Sequence, residues 1–207
     1  GPVGCAVLDQ KGMILEAEKS GIFRIDPRTK EKQLVAKAHD DERIRYNDGK
    51  LDPKGRLLVG TMGYDDTYEG EAVLYAIEKD GTVRTVLDGL TLANGMGWSP
   101  DGKTLYFIDT PTKKVGRYAY DPETGEAIFE KYVIEITDGS NPDGMCVDME
   151  GMIWVAQYGG EKVCRWDPES GGKLEEIRMP VKNVTSCCLG GENLEYLYIT
   201  TAKDGET

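Results

Sequence analysis

Five residues stand at the same distance, five places, ahead of the residue that opens a recurring turn: Gly4 in "PVGCAV", Asn47 in "RYNDGKL", Asn94 in "LANGMGW", Asp143 in "NPDGMCV" and Ser186 in "VTSCCL". Asn47, Asn94 and Asp143 carry amide or carboxylate oxygens, and Ser186 a hydroxyl. Short oxygen-bearing side chains gathered at one place are what a hard cation such as Ca2+ or Mg2+ takes, with backbone carbonyls and water completing the shell. Taken singly, Asn-Gly, Asp-Gly and Asn-Pro are ordinary turn signals. Glycine after Asn94 and after Asp143 would let the backbone curl inward. The shared phase brings the cation-binding reading level with plain turn chemistry.

Other chemistries find little support. The single histidine, His39 in "AKAHDDERIRYND", gives a poor basis for a Ser-His-Asp or Cys-His site and reads as a loop residue. No Gly-x-Ser-x-Gly elbow and no phosphate-binding loop occur. The five cysteines (Cys5, Cys146, Cys164, Cys187 and Cys188) show no CxxC pair, and most lie in apolar runs. They read as buried, reduced thiols of a cytoplasmic protein, not as a zinc site or a disulfide framework.

The elements that must position these residues recur with them. Turns of one type occur at "LDQKG", "LDPKG", "WSPDG" and "VDMEG", closing on Gly12, Gly55, Gly102 and Gly151 at intervals of 43, 47 and 49 residues. A degraded fifth copy is "LGGENLEYLYIT". Each turn leads into a strand-like run, then a short polar link, then a second run such as "GIFRIDP", "VGRYAYDP" or "KVCRWDP", and in most units a third. Runs rich in β-branched and aromatic residues, bounded by Gly, Pro and Asp, predict short strands and no long helix. A period of 40–50 residues with about four strands per unit predicts an all-β chain of propeller blades. In a propeller the innermost strand of each blade borders a central channel, so the residue just before that strand lies at the channel mouth. Trp166 in "CRWDP" reads as blade core, with Asp167 and Pro168 as a turn; the Gly-His companion of a WD40 blade is absent.

The composition is that of a globular chain, 39% apolar and 30% charged over 207 residues, with a net charge of −12. Such acidity repels phosphate backbones and argues against nucleic-acid binding. No apolar run approaches the roughly 20 residues that span a bilayer, so no membrane partner is expected.

"RYNDGKLDPKGRLLVGTM", "LANGMGWSPDGKTLYFID", "NPDGMCVDMEGMIWVA" and "VTSCCLGGENLEYLYIT" together resemble the family of senescence marker protein 30 (regucalcin), gluconolactonases and related lactonases, over essentially the whole chain. The resemblance implies a six-bladed β-propeller, a divalent metal (Ca2+, Zn2+, Mg2+ or Mn2+) near the channel centre, and a small-molecule sugar lactone as substrate. The family's metal-binding Asn and Asp match Asn94 and Asp143. Its substrate-contacting Arg and Asn match Arg45 and Asn47, and a further acidic contact falls on Asp65, where many members have Glu. The first-blade Glu that is the third metal ligand of the family has no counterpart, and Glu16 and Glu18 sit in a predicted strand and link. The chain is therefore expected to be a piece of a longer propeller: one domain over 1–207 with about four to five blades, and with an open edge available for self-association.

For lactone hydrolysis the resemblance implies that the metal polarises the carbonyl and lowers the pKa of a water. Asp143 would be both ligand and general base, while Arg45 and Asn47 would orient the sugar oxygens. Their plain structural readings are a surface ion pair for Arg45 and a turn residue for Asn47. The alternative for the whole chain is a non-catalytic propeller that binds calcium or presents a face to another protein.

Overall fold

The computed structural model describes residues 2–65 and 68–203. Among them lie eighteen strands and one short 3-10 turn at Thr110–Thr112. The strands are grouped as antiparallel meanders. The first is β1 (Val3–Leu8), β2 (Ile14–Glu18), β3 (Gly21–Ile25) and β4 (Lys32–Ala36); the second is β5 (Ile44–Leu51), β6 (Leu57–Gly63), β7 (Ala72–Ile77) and β8 (Val83–Leu90). The third is β9 (Ala93–Trp98), β10 (Thr104–Asp109), β11 (Lys114–Tyr120) and β12 (Ala127–Glu135); the fourth is β13 (Asn141–Val147), β14 (Ile153–Tyr158), β15 (Lys162–Trp166) and β16 (Lys173–Arg178). Two further strands, β17 (Asn183–Gly190) and β18 (Tyr196–Ala202), pair with each other and join β14 through the single pair Tyr158–Asn183. The first sixteen strands thus form four β-propeller blades, and β17 with β18 is a further antiparallel pair. No helix of the described residues is long and apolar enough to cross a membrane.

The recurring turn has one chemistry. In blade one the Asp9 carboxylate accepts from the amides of Lys11 (2.8 Å) and Met13 (2.9 Å); in blade two Asp52 accepts from Lys54 (2.9 Å) and Arg56 (2.8 Å). In blade four Asp148 accepts from Glu150 (3.0 Å) and Met152 (2.9 Å), and in blade three Ser99 substitutes, its hydroxyl accepting from Thr104 N at 3.0 Å. Gly12, Gly55, Gly102 and Gly151 each take a left-handed φ, +71° to +83°, which a Cβ disfavours. In the fifth copy Leu194 holds that place at φ +57°, so the turn survives without its glycine. The outer "D-P" turns follow a second pattern, as where Asp167 accepts the Glu169 amide at 2.9 Å.

The chain divides into two compact units, one comprising Gly1–Asn94 with Asp121–Ala127, the other Gly95–Tyr120 with Ile128–Thr207. In the first, blades one and two share a core of Leu15, Ala17, Ile22, Tyr46, Leu57, Val59 and Ile77. In the second, blades three and four meet through Tyr106, Ile108, Val115, Met145, Ile153 and Val155, with Trp166 packed against them. Cys146, Ala156, Val163, Val184 and Cys187 continue the second unit's core toward β17. Each cluster draws on two successive blades because one four-stranded sheet cannot bury a core alone. Strands next to the innermost, such as "TLYFID" in β10, are buried on both faces and read as continuous apolar runs. Ile108 and Ile153 are fully buried, and truncation of either to Ala costs about 2–5 kcal/mol.

Candidate functional site

The five equivalent residues lie within the innermost strands, not just ahead of them as the sequence predicts. In four of these five strands the ladder carries on past a β-bulge. The register slips between Val3 and Cys5 in β1, between Tyr46 and Gly49 in β5, between Pro142 and Met145 in β13, and between Val184 and Ser186 in β17. The residues that the register passes over are Gly4, Asn47 with Asp48, Asp143 with Gly144, and Thr185. Ser186, the predicted member, stays paired with Thr200, so the bulge in β17 falls one residue earlier. A bulge frees a residue from the ladder, bends the strand and re-aims the side chain. Asn94 is the second residue of β9.

In the first unit the structure brings Arg45 and Asn47 together. Arg45 Nη1 donates to Asn47 Oδ1 at 3.0 Å and to the Tyr46 carbonyl at 3.1 Å. Asn47 Nδ2 in turn donates to the Ala93 carbonyl at 2.9 Å, one residue ahead of the buried Asn94. The guanidinium fixes which end of the Asn47 amide is oxygen. Across the β5–β6 ladder Arg45 stands opposite Met62. Asp65 follows in the loop after β6 and is exposed, while Asp66, another acidic candidate in "GYDDTYEGE", lies outside the described residues.

Asp48 was missed by the sequence reading, although it shares the "YNDG" frame with Asn47. Burial pushes its carboxyl upward, while Lys50 and the Gly49 amide, which it accepts at 2.8 Å, pull the other way. His39 packs against Tyr46 with ring centroids 4.7 Å apart and the planes inclined by 52°, and burial lowers its pKa against the opposing pull of the Asp41 backbone. Burial raises the Cys5 thiol to about 12 and Cys164 to about 11, so neither is a thiolate near neutral pH.

In the second unit Asp143 is half-buried on β13. The glycines beside the candidate ligands have a different purpose from the one their dipeptides suggest. Neither Gly95 nor Gly144 adopts a left-handed φ. A Cβ on Gly95 would stand 2.4 Å from the Asp143 carbonyl oxygen, and one on Gly144 would stand 2.2 Å from Ser186 Oγ. Successive innermost strands approach so closely there that no side chain fits. Asn-Gly and Asp-Gly are therefore marks of strand packing at these places, not of turns.

Among the described residues no three of His, Cys, Asp and Glu gather as a metal-binding group. Asn94 in the first unit and Asp143 in the second each carry a hard oxygen donor, whose chemistry suits Ca2+, Mg2+ or Mn2+ better than a soft ion.

Comparison with known proteins agrees with the blades. Residues 1–203 match the model of the SMP-30/gluconolactonase/LRE-like region. A regucalcin of Danio rerio is 38% identical over 205 residues, taking in 98% of this chain and 70% of the relative. The solved structure of a calcium-binding protein, regucalcin, from Agrobacterium tumefaciens matches with a TM-score of 0.91 at 29% identity, over 99% of this chain and 70% of that one. A gluconolactonase of Xanthomonas campestris matches with a TM-score of 0.79 at 23% identity, over 96% of this chain and 69% of the other, a likeness of fold.

Proposed function

The chain belongs to the SMP-30/gluconolactonase/LRE-like family, and from that premise we propose that it serves metal-dependent hydrolysis of a sugar lactone in the cytoplasm, with Asp143 as the working carboxylate. The family supports a lactonase-type enzyme; metal dependence and the residue roles are our reading. The observation that carries it is the placement of Asp143 in the bulge of β13, the place that Asn47 holds in β5.

Asp143 and Asn94 would hold the ion through a carboxylate and an amide oxygen. A divalent ion bound there supplies a Lewis acid for the lactone carbonyl and makes water more acidic. Asp143 accepts the proton of the attacking water at a carboxylate oxygen. Arg45, already joined to Asn47, donates hydrogen bonds to the ring and hydroxyl oxygens of the sugar. Asn47 fixes that guanidinium, and Asp65 contributes an acceptor for a sugar hydroxyl.

A second reading is a calcium-binding propeller without catalysis. It is favoured by the single carboxylate of the proposed donor set and by the calcium-binding relative. Turnover of glucono-δ-lactone, measured after chelation and again after adding back Mn2+ or Ca2+, separates the two. Turnover restored by the ion supports the lactonase. Ion binding with no turnover of any five- or six-membered sugar lactone supports the second reading.

A further inference from the structure

A bulged carboxylate is only as well placed as the backbone that leads into it. Three consecutive residues, Ser140, Asn141 and Pro142, lead into Asp143, and each is gripped by polar groups. From blade three, Thr110 Oγ1 donates to the Pro142 carbonyl at 2.8 Å. Lys113 Nζ donates to the Ser140 carbonyl at 3.1 Å and to Asn141 Oδ1. From blade four, Asp138 Oδ1 accepts from the Ser140 amide at 3.1 Å and hydroxyl at 2.6 Å, and Gln157 Nε2 donates to the Ser140 hydroxyl at 2.7 Å. Lys162 closes this side with its ammonium 2.6 Å from Asp138 Oδ2.

Packing alone does not call for this arrangement. Thr110, Ser140, Gln157 and Lys162 are all buried, and buried polar groups cost stability unless bonded. A valine would fill the volume of Thr110. Lys113 ends the 3-10 turn in a left-handed conformation, φ +60°, where glycine is the easier residue. A strained position occupied by a residue with a long donor side chain suggests that the side chain is needed there.

We propose that Thr110 and Lys113 are positioning residues for Asp143: they hold the carbonyls of Ser140 and Pro142 and so set where the bulge presents its carboxylate. The proposal rests on the reading of Asp143 as metal ligand and proton acceptor. The two residues touch neither ion nor lactone and act through the backbone.

Thr110→Val, Thr110→Ser and Lys113→Met, made in the whole chain beside Asp143→Asn, test it. Thr110→Val is expected to weaken Mn2+ binding and lower kcat by about tenfold, with KM unchanged. Thr110→Ser, which restores the hydroxyl, should recover both, and Lys113→Met should move them in the same direction as Thr110→Val. Amide hydrogen exchange at Asp143 and Gly144 should quicken by about tenfold in Thr110→Val while that of Ile153 in the blade core stays fixed. Unchanged exchange at Asp143 and Gly144, or a Thr110→Ser protein as impaired as Thr110→Val, overturns the proposal. Should Asp143→Asn itself leave Mn2+ binding and turnover intact, the metal reading of Asp143 falls, and the exchange rates still decide whether Thr110 and Lys113 hold the strand.

Discussion

At one end of β13 the Asp148 carboxylate gathers the amides of Glu150 and Met152; at the same end of β5, Asp52 does this for Lys54 and Arg56, and at β1, Asp9 for Lys11 and Met13. The other ends of the same strands are equally regular in backbone, a bulge in each, yet their residues are Asp143–Gly144, Asn47–Asp48 and Gly4. One end repeats its side chains because the turn needs a particular hydrogen-bond acceptor and a left-handed residue. The bulge end needs only a kink, so its side chains are free to differ. Repeated sequence marks what every blade requires, and varied sequence on a repeated backbone marks where chemistry can be placed.

That contrast can be broken in several ways. The largest expected effect is at the bulge end: Asp143→Asn should lower lactone turnover by about 10²–10⁴-fold with little change in melting temperature. A large fall in melting temperature would make Asp143 a structural residue. Five residues on, Asp148→Ala should do the reverse. It removes the turn acceptor and also the bonds to Trp154 Nε1 (3.1 Å) and Arg165 Nε (2.8 Å), so stability should fall by about 2–4 kcal/mol in urea unfolding. Turnover per folded molecule should be preserved.

Arg45→Ala should raise KM for the lactone by about tenfold or more, the worth of a charged hydrogen bond, and leave metal affinity alone. Equal losses in metal affinity and KM would argue that Arg45 supports the ion. Asp48 sharpens the comparison through pH. Its folded carboxyl is raised by burial, so the folded state holds the proton to higher pH than the unfolded chain does. Its contribution to stability is therefore present below the unfolded value of about 3.9 and lost as pH rises through the folded one. Asp48→Asn should be the more stable protein at neutral pH and should lack that decline in a melting-temperature profile. A variant less stable than wild type at neutral pH would show that the ionised carboxylate is needed. The smallest effect is expected at the turn end of the fifth copy, where Leu194→Gly should add about 0.5–1 kcal/mol by relieving a left-handed leucine that is 46% exposed.

The turn ends were readable from sequence because their chemistry is local: Asp or Ser accepts from residues two to five places on, and glycine follows at a fixed offset. Blade order followed from that period. The bulges were not readable, since an unpaired residue in a strand has no residue type of its own. Position could be counted to Asn47 and Asp143, but in β17 the count fell one residue late, on Ser186 instead of Thr185. The glycines after Asn94 and Asp143 looked like turn residues because close approach between strands leaves the same letter as a turn. The grip of Lys113 on Ser140 and Asn141 spans about one half-blade of sequence with no repeat to announce it. Arg45 became a candidate only through family resemblance; its bond to Asn47 is a contact between near neighbours that the sequence does not announce.

Mn2+ titrated by calorimetry into wild type, Asp143→Asn and Asp148→Asn, each below its melting temperature, tests most directly whether the bulge end is where the chemistry sits. Wild type and Asp148→Asn are expected to bind the ion alike, and Asp143→Asn to bind it at least about tenfold more weakly. Equal affinity in wild type and Asp143→Asn, or a loss confined to Asp148→Asn, would contradict the assignment of Asp143 to the metal.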